Sequence, residues 1–252
     1  MEKGLVSIIT PLYNGEKYIG STIESVISQT YPNWEMWIVN DGSKDNSEAI
    51  VKSFADKEPR IKYLSQSNAG SAAARNNGIR NCNGQYIALL DADDLWAPDF
   101  LQSQISFMKE KGAIVVHSSY KRINETGKEI LKPYPAKAVV SIKDMQMTNH
   151  IACLTGLYDS SKYGKIYLRE ELKSIRDDYA YWLDIVKLAG HSYGNKKVLA
   201  SYRVMSNSTT GKKTKLIKAQ YNFYRKFQGF NPIKSILYTG YWGLLGIIKF
   251  SR

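Results

Sequence analysis

Several things are scarce in these 252 residues, and each scarcity removes a class of answer. The two cysteines, Cys82 and Cys153, follow no pairing or metal-ligand spacing, which excludes a disulfide scaffold and fits a reducing, cytosolic setting. No run reaches the roughly 18–20 consecutive apolar residues a bilayer span needs. Met1-Glu2-Lys3-Gly4 leads straight into a strand-like run without the charged-then-apolar build of a secretory signal, so the expected location is the cytoplasm. No Gly-x-Gly-x-x-Gly follows the first strand-like run, and no Gly-x-x-x-x-Gly-Lys-Ser/Thr occurs anywhere. Both absences count against a dinucleotide oxidoreductase and a P-loop phosphotransferase. Acidic residues stop at Asp184, whereas 13 lysines and arginines lie beyond it. Residues 1–184 carry a net charge of −1 against +12 for the whole chain, so a neutral domain is followed by a polycationic tail that seeks an anionic surface.

What is present is globular in character, with 43% hydrophobic and 12% aromatic residues. Residues 5–10 read as a strand ended by Pro11, which cannot continue a central ladder. Residues 16–29 read as a helix, with Ile19, Ile23, Val26 and Ile27 spaced by three and four. A second strand over 34–39 closes on the turn Asn40-Asp41-Gly42-Ser43. A helix over 47–55, a strand over 61–64 and an alanine-rich helix over 72–80 with Ser71 as N-cap come next. Then follow a strand over 86–90, a helix near 99–111 and a strand over 113–116. This alternation predicts an α/β fold, a mostly parallel sheet flanked by helices. Ligands of such sheets bind beyond the carboxyl ends of the strands. The polar groups at those ends (10–14, Asn40 and Asp41, 65–68, 91–94) are therefore expected to converge.

The sharpest of these ends is Leu89-Leu90-Asp91-Ala92-Asp93-Asp94, an apolar run that stops in three carboxylates within four positions. In an extended segment residues i and i+2 point the same way, so Asp91 and Asp93 are expected on one side. Two hard oxygen ligands suit Mg or Mn with positions left open for a substrate's phosphates. The plainer alternative is an acidic turn capping the next helix, with Pro98 in its first turn.

At this point the chain resembles the family 2 glycosyltransferases of the GT-A (Rossmann-like) type. The matching pieces are Val6 through Asn14, Ser28 through Glu35, Val39-Asn40-Asp41-Gly42-Ser43, Gly70 through Gly78 with Ala74-Arg75-Asn76, and Leu90 through Asp94. Order and spacing agree, and the likeness is strongest to bacterial cell-wall, capsule and O-antigen transferases. The resemblance implies inverting transfer of a sugar from a nucleotide donor, a UDP-sugar, to an acceptor hydroxyl, with Mn or Mg as cofactor. It implies a nucleotide-sugar site of Pro11, Tyr13, Asp41, Arg75, Asp91, Ala92 and Asp93. Tyr13 would pack on the base and Asp41 would accept from the base N–H. Arg75 would reach the nucleotide near a helix N-terminus. Asp93 would bind the metal, and Asp91 would touch the ribose or the metal's water shell.

Inversion needs a carboxylate to take the acceptor's proton. The family keeps it as the second acid of a Glu-Asp pair, here Asp177-Asp178, with Asp in place of the Glu. On a helix Asp178 shares a face with Trp182, Ile185 and Ala189, and Asp177 with Tyr181, Asp184 and Leu188. Taking the more apolar side as facing the protein makes Asp178 the expected base. Tyr202-Arg203-Val204-Met205 matches the segment that closes the catalytic domain. Many relatives have His where Met205 stands, and a thioether suits a hard cation poorly. Two alternatives are then open: water and phosphate complete the metal shell, or Lys212 and Lys213 hold the phosphates.

The expected organisation is a catalytic domain over 1–211, with a nucleotide-sugar part over 1–112 and an acceptor part over 113–211, and a basic amphipathic extension over 212–252. In that extension Ile233, Ile236, Leu237, Tyr241, Leu244, Leu245 and Ile248 recur at helical spacing. Two outcomes are open: anchoring to anionic lipid at the inner face of the membrane, or packing on the domain. The acceptor expected from the resemblance and the tail is a lipid-linked glycan. The competing readings are a nucleotidyltransferase, against which residues 10–16 offer one glycine and no base, and a nucleic-acid-binding protein. The latter leaves the acidic strand ends unexplained, so no nucleic-acid partner is expected.

Overall fold

The structure is a computed structural model that describes residues 1–172, 176–205 and 213–250. Its first half alternates strands and helices: β1 (Glu2–Leu12), α1 (Ile19–Ile27), β2 (Trp34–Asn40), α2 (Ser47–Ala55), β3 (Ile61–Ser65), α3 (Ser71–Asn81) and β4 (Gly84–Leu89). The second half holds β5 (Leu95–Trp96), α4 (Phe100–Lys111), β6 (Val115–Ile123), β7 (Glu129–Tyr134), β8 (Val139–Ser141), α5 (Ile142–Met147), β9 (Gly156–Asp159), α6 (Asp177–Ala189) and β10 (His191–Arg203). Helices α7 (Lys213–Asn222) and α8 (Pro232–Phe250) end the chain.

All ten strands join one sheet along the path β3-β2-β1-β4-β9-β6-β10-β5, with β7 added to β6 and β8 to β10. The first four strands run parallel, as does β10 with β6, and the other pairings are antiparallel. This is the expected α/β sheet, with the continuous parallel ladder confined to the half that precedes Asp91.

Burial of β1 from Leu5 to Thr10 on both faces explains its nearly unbroken apolar run. Val6 and Ile8 pack with Ile19, Ile23 and Val26 of α1 on one side. Ile9 packs with Ile79 of α3 and Tyr181 of α6 on the other. Each such buried side chain contributes roughly 1.5–3 kcal/mol. Gly78 and Gly156 are among the glycines that permit close approach. A Cβ on Gly78 would lie 2.7 Å from Ile9 Cγ2, and one on Gly156 would lie 2.3 Å from the Trp182 ring.

Local expectations need four corrections. Pro11 does not end β1, which pairs on to Leu12 opposite Asn40. The ladder with β4 has stopped at Ile9 opposite Leu89, and in the alternating pattern it is toward β4 that the missing N–H of Pro11 would point. Helix α1 starts at Ile19 rather than at 16, because Glu16 is drawn to the turn before α2: its N–H donates to Asp45 at 3.0 Å and its carboxylate accepts from Asn46 N at 2.7 Å. Ile27, the last residue of that helix, is exposed rather than part of the inner stripe. Finally, Gly70, not Ser71, caps α3, at φ 93°; the Ser71 hydroxyl turns toward Asp177.

Of the two outcomes open for the tail, the C-terminal helix shows packing on the domain along one side, with apolar side chains left exposed on the other. Positions on a helix advance by about 100°, so Ser235, Tyr238 and Trp242 lie opposite Ile233, Leu237, Tyr241 and Leu244. Ser235 is fully buried, and the Tyr238 ring meets Tyr224 at 5.7 Å and Phe230 at 5.4 Å. On the far side Ile233, Ile236, Leu237, Tyr241 and Leu244 are all exposed. Among the described residues no helix is long and apolar enough to cross a membrane.

Candidate active site

The strand ends do converge. Asp41, just past β2, is buried and accepts from Gln66 Nε2 at 2.9 Å, Ala69 N at 2.8 Å and Gly70 N at 2.8 Å. It thereby draws the loop after β3 over the end of β2. An ionised carboxylate offers about four acceptor positions, so capacity for a further N–H remains. Ser43 Oγ accepts from Asn14 N, and Asn14 Oδ1 accepts from Lys44 N, which ties the end of β1 to the same turn. Tyr13 beside it is 53% exposed, so its ring caps no core and stands open at the rim. Pro11 and Ala92 are half-buried there.

Arg75 is the hub of the cleft. It lies on the second turn of α3, is 5% exposed, and donates through Nη2 to Asp91 at 2.5 Å and through Nη1 to Asp177 at 2.7 Å. Burial opposes its charge, yet the neighbouring carboxylates raise its pKa still further. The guanidinium expected to reach the nucleotide is therefore engaged with two acids 86 residues apart in the chain.

Asp91 and Asp93 share this region, though not for the reason the sequence suggested. The strand stops at Leu89, and 91–94 form a turn closed by Asp94 N donating to Asp91 O at 3.1 Å, so an extended backbone does not align the two carboxylates. Burial, and then the charge of Asp91, push Asp93 up to about 6. A buried carboxylate raised in this way beside a second acid suits a divalent cation. Among the described residues, however, no group of three or more His, Cys, Asp or Glu is placed to hold one. With Asp91 tied to Arg75, a cation here would rest on Asp93 and on the oxygens of a bound diphosphate and water. Asp94 is neither a ligand nor a helix cap: it is buried, accepts from Arg203 N at 2.8 Å, and has its pKa raised well above the carboxylate range by burial and by Asp93 and Asp91.

Arg203, at the end of β10, clamps this turn. Its Nε donates to Asp93 O at 2.7 Å, and its Nη1 reaches Asn124 O and Glu125 O, both at 3.2 Å. Its guanidinium also lies 4.7 Å from the Tyr18 ring. Met205 follows just beyond the strand. Lys212 and the Lys213 side chain, the candidates for holding phosphates, lie outside what is described.

The acid pair at the start of α6 divides in two. Asp177 is 3% exposed and committed to Arg75 and Ser71. Asp178 is half-buried, and its carboxylate accepts a long hydrogen bond from Asn149 Nδ2 at 3.4 Å. Burial and the charge of Asp177 push Asp178 up to about 6, against the pull of Arg75 and Arg176. The face-counting argument fails in one respect: Tyr181, placed with Asp177 on the outer side, is fully buried, because α6 is covered nearly all round. Asp91 also acts on Asp178, so the strand-end acids and the acid pair share one cleft. Cys153 lies buried among Arg75, Asp91, Asp177 and Asp178, and its thiol is raised by burial and by the three aspartates, against the pull of Arg75. Sequence spacing pointed to neither Cys153 nor Asn149.

Known proteins resemble this chain in sequence and in fold. Residues 7–176 match the profile described as glycosyl transferase family 2. The chain is 34% identical over 235 residues to TuaG of Bacillus subtilis, a glycosyltransferase provisionally named for teichuronic acid biosynthesis, covering 92% of each. It is 34% identical over 251 residues to WfgD of Escherichia coli, covering 99% of this chain and 96% of that one. WfgD is named a UDP-Glc:α-D-GlcNAc-diphosphoundecaprenol β-1,3-glucosyltransferase. Among solved structures, S. aureus TarS 1–349 in complex with UDP-GlcNAc shares the fold at TM-score 0.72 and 19% identity, covering 93% of this chain and 70% of that one. The mannosyltransferase PcManGT of Pyrobaculum calidifontis, in complex with GDP-Man and Mn2+, does so at 0.70 and 18%, covering 93% and 68%.

Proposed function

The chain belongs to glycosyl transferase family 2, and from that premise we propose that it moves a sugar, with inversion, from a UDP-sugar to a hydroxyl of a lipid-linked bacterial surface glycan. The observation that carries this reading is the Arg75 bridge from Asp91 to Asp177, which sets the donor rim and Asp178 in one cleft. Tyr13 offers an open ring to the base, and Asp41 a carboxylate already fixed by backbone donors. Asp178 accepts the acceptor's proton as its oxygen bonds to the sugar's anomeric carbon and the bond to the diphosphate breaks. A carboxylate raised to about 6 is a stronger base than an ordinary aspartate and is still ionised at neutral pH. A divalent cation bound at Asp93, when present, supplies Lewis-acid stabilisation of the departing UDP.

A WfgD-like acceptor is embedded in a membrane, and the exposed apolar face of α8, in a tail without acids, supports a peripheral place on the inner leaflet. Thermal stabilisation and hydrolysis with a panel of UDP-, GDP- and dTDP-sugars, with and without Mn2+, tests the donor reading. The expected result is a Mn2+-dependent response to a UDP-sugar that is lost in Asp93→Ala. A chain that responds to no nucleotide sugar, or whose Asp93→Ala variant responds fully, overturns it.

A further inference from the structure

One cation beside the acid pair has no task in sugar transfer as derived above. Arg176 directly precedes Asp177, and its backbone is left-handed at φ 73°, a conformation a non-glycine residue keeps only where its surroundings impose it. Its guanidinium is held 4.8 Å from the ring of Trp242 on the inward face of α8. Its Nε and Nη2 are buried without a hydrogen-bond partner among the described residues. Tyr179, Tyr224 and Asp178 are near enough to act on it electrostatically, but none takes those protons. An arginine cannot shed its charge as a lysine can, so buried donors without an acceptor are costly unless something arrives to accept from them.

We propose that Arg176 is the anchor for the diphosphate of a membrane-embedded, lipid-linked acceptor. In this arrangement α8 lies in the bilayer interface, and the diphosphate enters between Trp242 and the start of α6. The ligand class follows from three observations. Two free N–H groups on one planar guanidinium match adjacent phosphate oxygens as a fork. The ring that covers the guanidinium belongs to a helix whose opposite side exposes Ile233, Ile236, Leu237, Tyr241 and Leu244, a face that suits lipid. The attached sugar would then lie on the side of Asp178, two residues on. The proposal rests on the lipid-linked acceptor of the preceding section and assigns the residue that recognises it.

Vesicle flotation tests it on the full chain. Three probes are used: phosphatidylcholine vesicles carrying undecaprenyl diphosphate, the same vesicles carrying undecaprenol, and vesicles carrying phosphatidylglycerol at matched charge. The wild type should prefer the diphosphate vesicles to both others. Arg176→Gln should lose about tenfold on the diphosphate vesicles alone, the worth of one charge-assisted contact. Arg176→Lys should keep part of the preference. Stabilisation by UDP should be unchanged in both variants. The assignment falls if the wild type does not discriminate, if Arg176→Gln binds as the wild type does, or if it loses equally on phosphatidylglycerol. Should Arg176→Gln also lose the UDP response, its fold is damaged and Arg176→Lys decides: no diphosphate preference in that variant overturns the proposal. A wild type that fails to respond to UDP but discriminates the vesicles would instead fault the donor reading.

Discussion

The rim at the ends of β1 to β4 and the helical end formed by α6 and α8 are finished to different degrees. At the rim the polar side chains are held by the protein itself: Asp41 by three donors, Asn40 by Ser43 N and the Tyr63 hydroxyl, Arg75 by two acids. At the helical end Arg176 has two donors without a partner among the described residues, and α8 turns an apolar face outward. A rim organised before any ligand arrives suits a small polar donor, whose orientation must be fixed. On the proposal above, the helical end is the part of the molecule that meets the lipid-linked acceptor.

The largest effect that would sharpen this contrast is expected at Asp178. Asp178→Asn should lower kcat by about 10²–10⁴-fold, as loss of a general base does, while UDP still stabilises the variant. Losing the UDP response as well would break the division between donor and acceptor sides. The same residue sets a pH dependence. Because its pKa is raised to about 6, the basic form develops only as pH rises through that value. The rate kcat/KM should therefore fall about tenfold per unit below pH 6 and level off above it.

Next comes the bridge between the two sides. Arg75→Met leaves Asp177 buried without its cation and should cost about 3–5 kcal/mol in denaturant unfolding; a change under 1 kcal/mol would mean that the bridge does not hold the cleft together. A smaller loss, about 1–3 kcal/mol, is expected for Gly156→Ala, whose methyl has no room against the Trp182 ring beneath the acid pair. Smallest in stability is Leu237→Glu, on the exposed side of α8. It should shift unfolding by less than about 0.5 kcal/mol yet abolish flotation with phosphatidylglycerol vesicles. Unchanged flotation would remove the membrane from the account of the tail.

The rim was legible in the sequence because its signals are local. An Asp-Gly turn and three acids closing an apolar run each declare a strand end within a few residues. The packing around the site was not. Counting helical faces assumes one side turned to water, and α6 has Tyr181 and Trp182 both fully enclosed. Asp178 stands apart from Asp177 because Arg75, 102 residues earlier, takes Asp177. The motif pieces also hid structural work. Gln29 accepts from Leu101 N and donates to Ala97 O, joining the end of α1 to the start of α4. Glu35 accepts from Ser7 Oγ and Asn83 N, pinning β1, β2 and the entry to β4. Neither partner is inferable from spacing.

Arg203 also bears on the order in which the molecule can be made. It holds the Asp93 carbonyl and the Asp94 carboxylate from 110 and 109 positions downstream, and among the described residues Leu95–Trp96 pairs with β10 alone. While a ribosome is still extending the chain toward residue 203, the nascent acid loop has neither its clamp nor its neighbouring strand. Any split of this protein between residues 96 and 200, for tagging or reassembly, separates that loop from both.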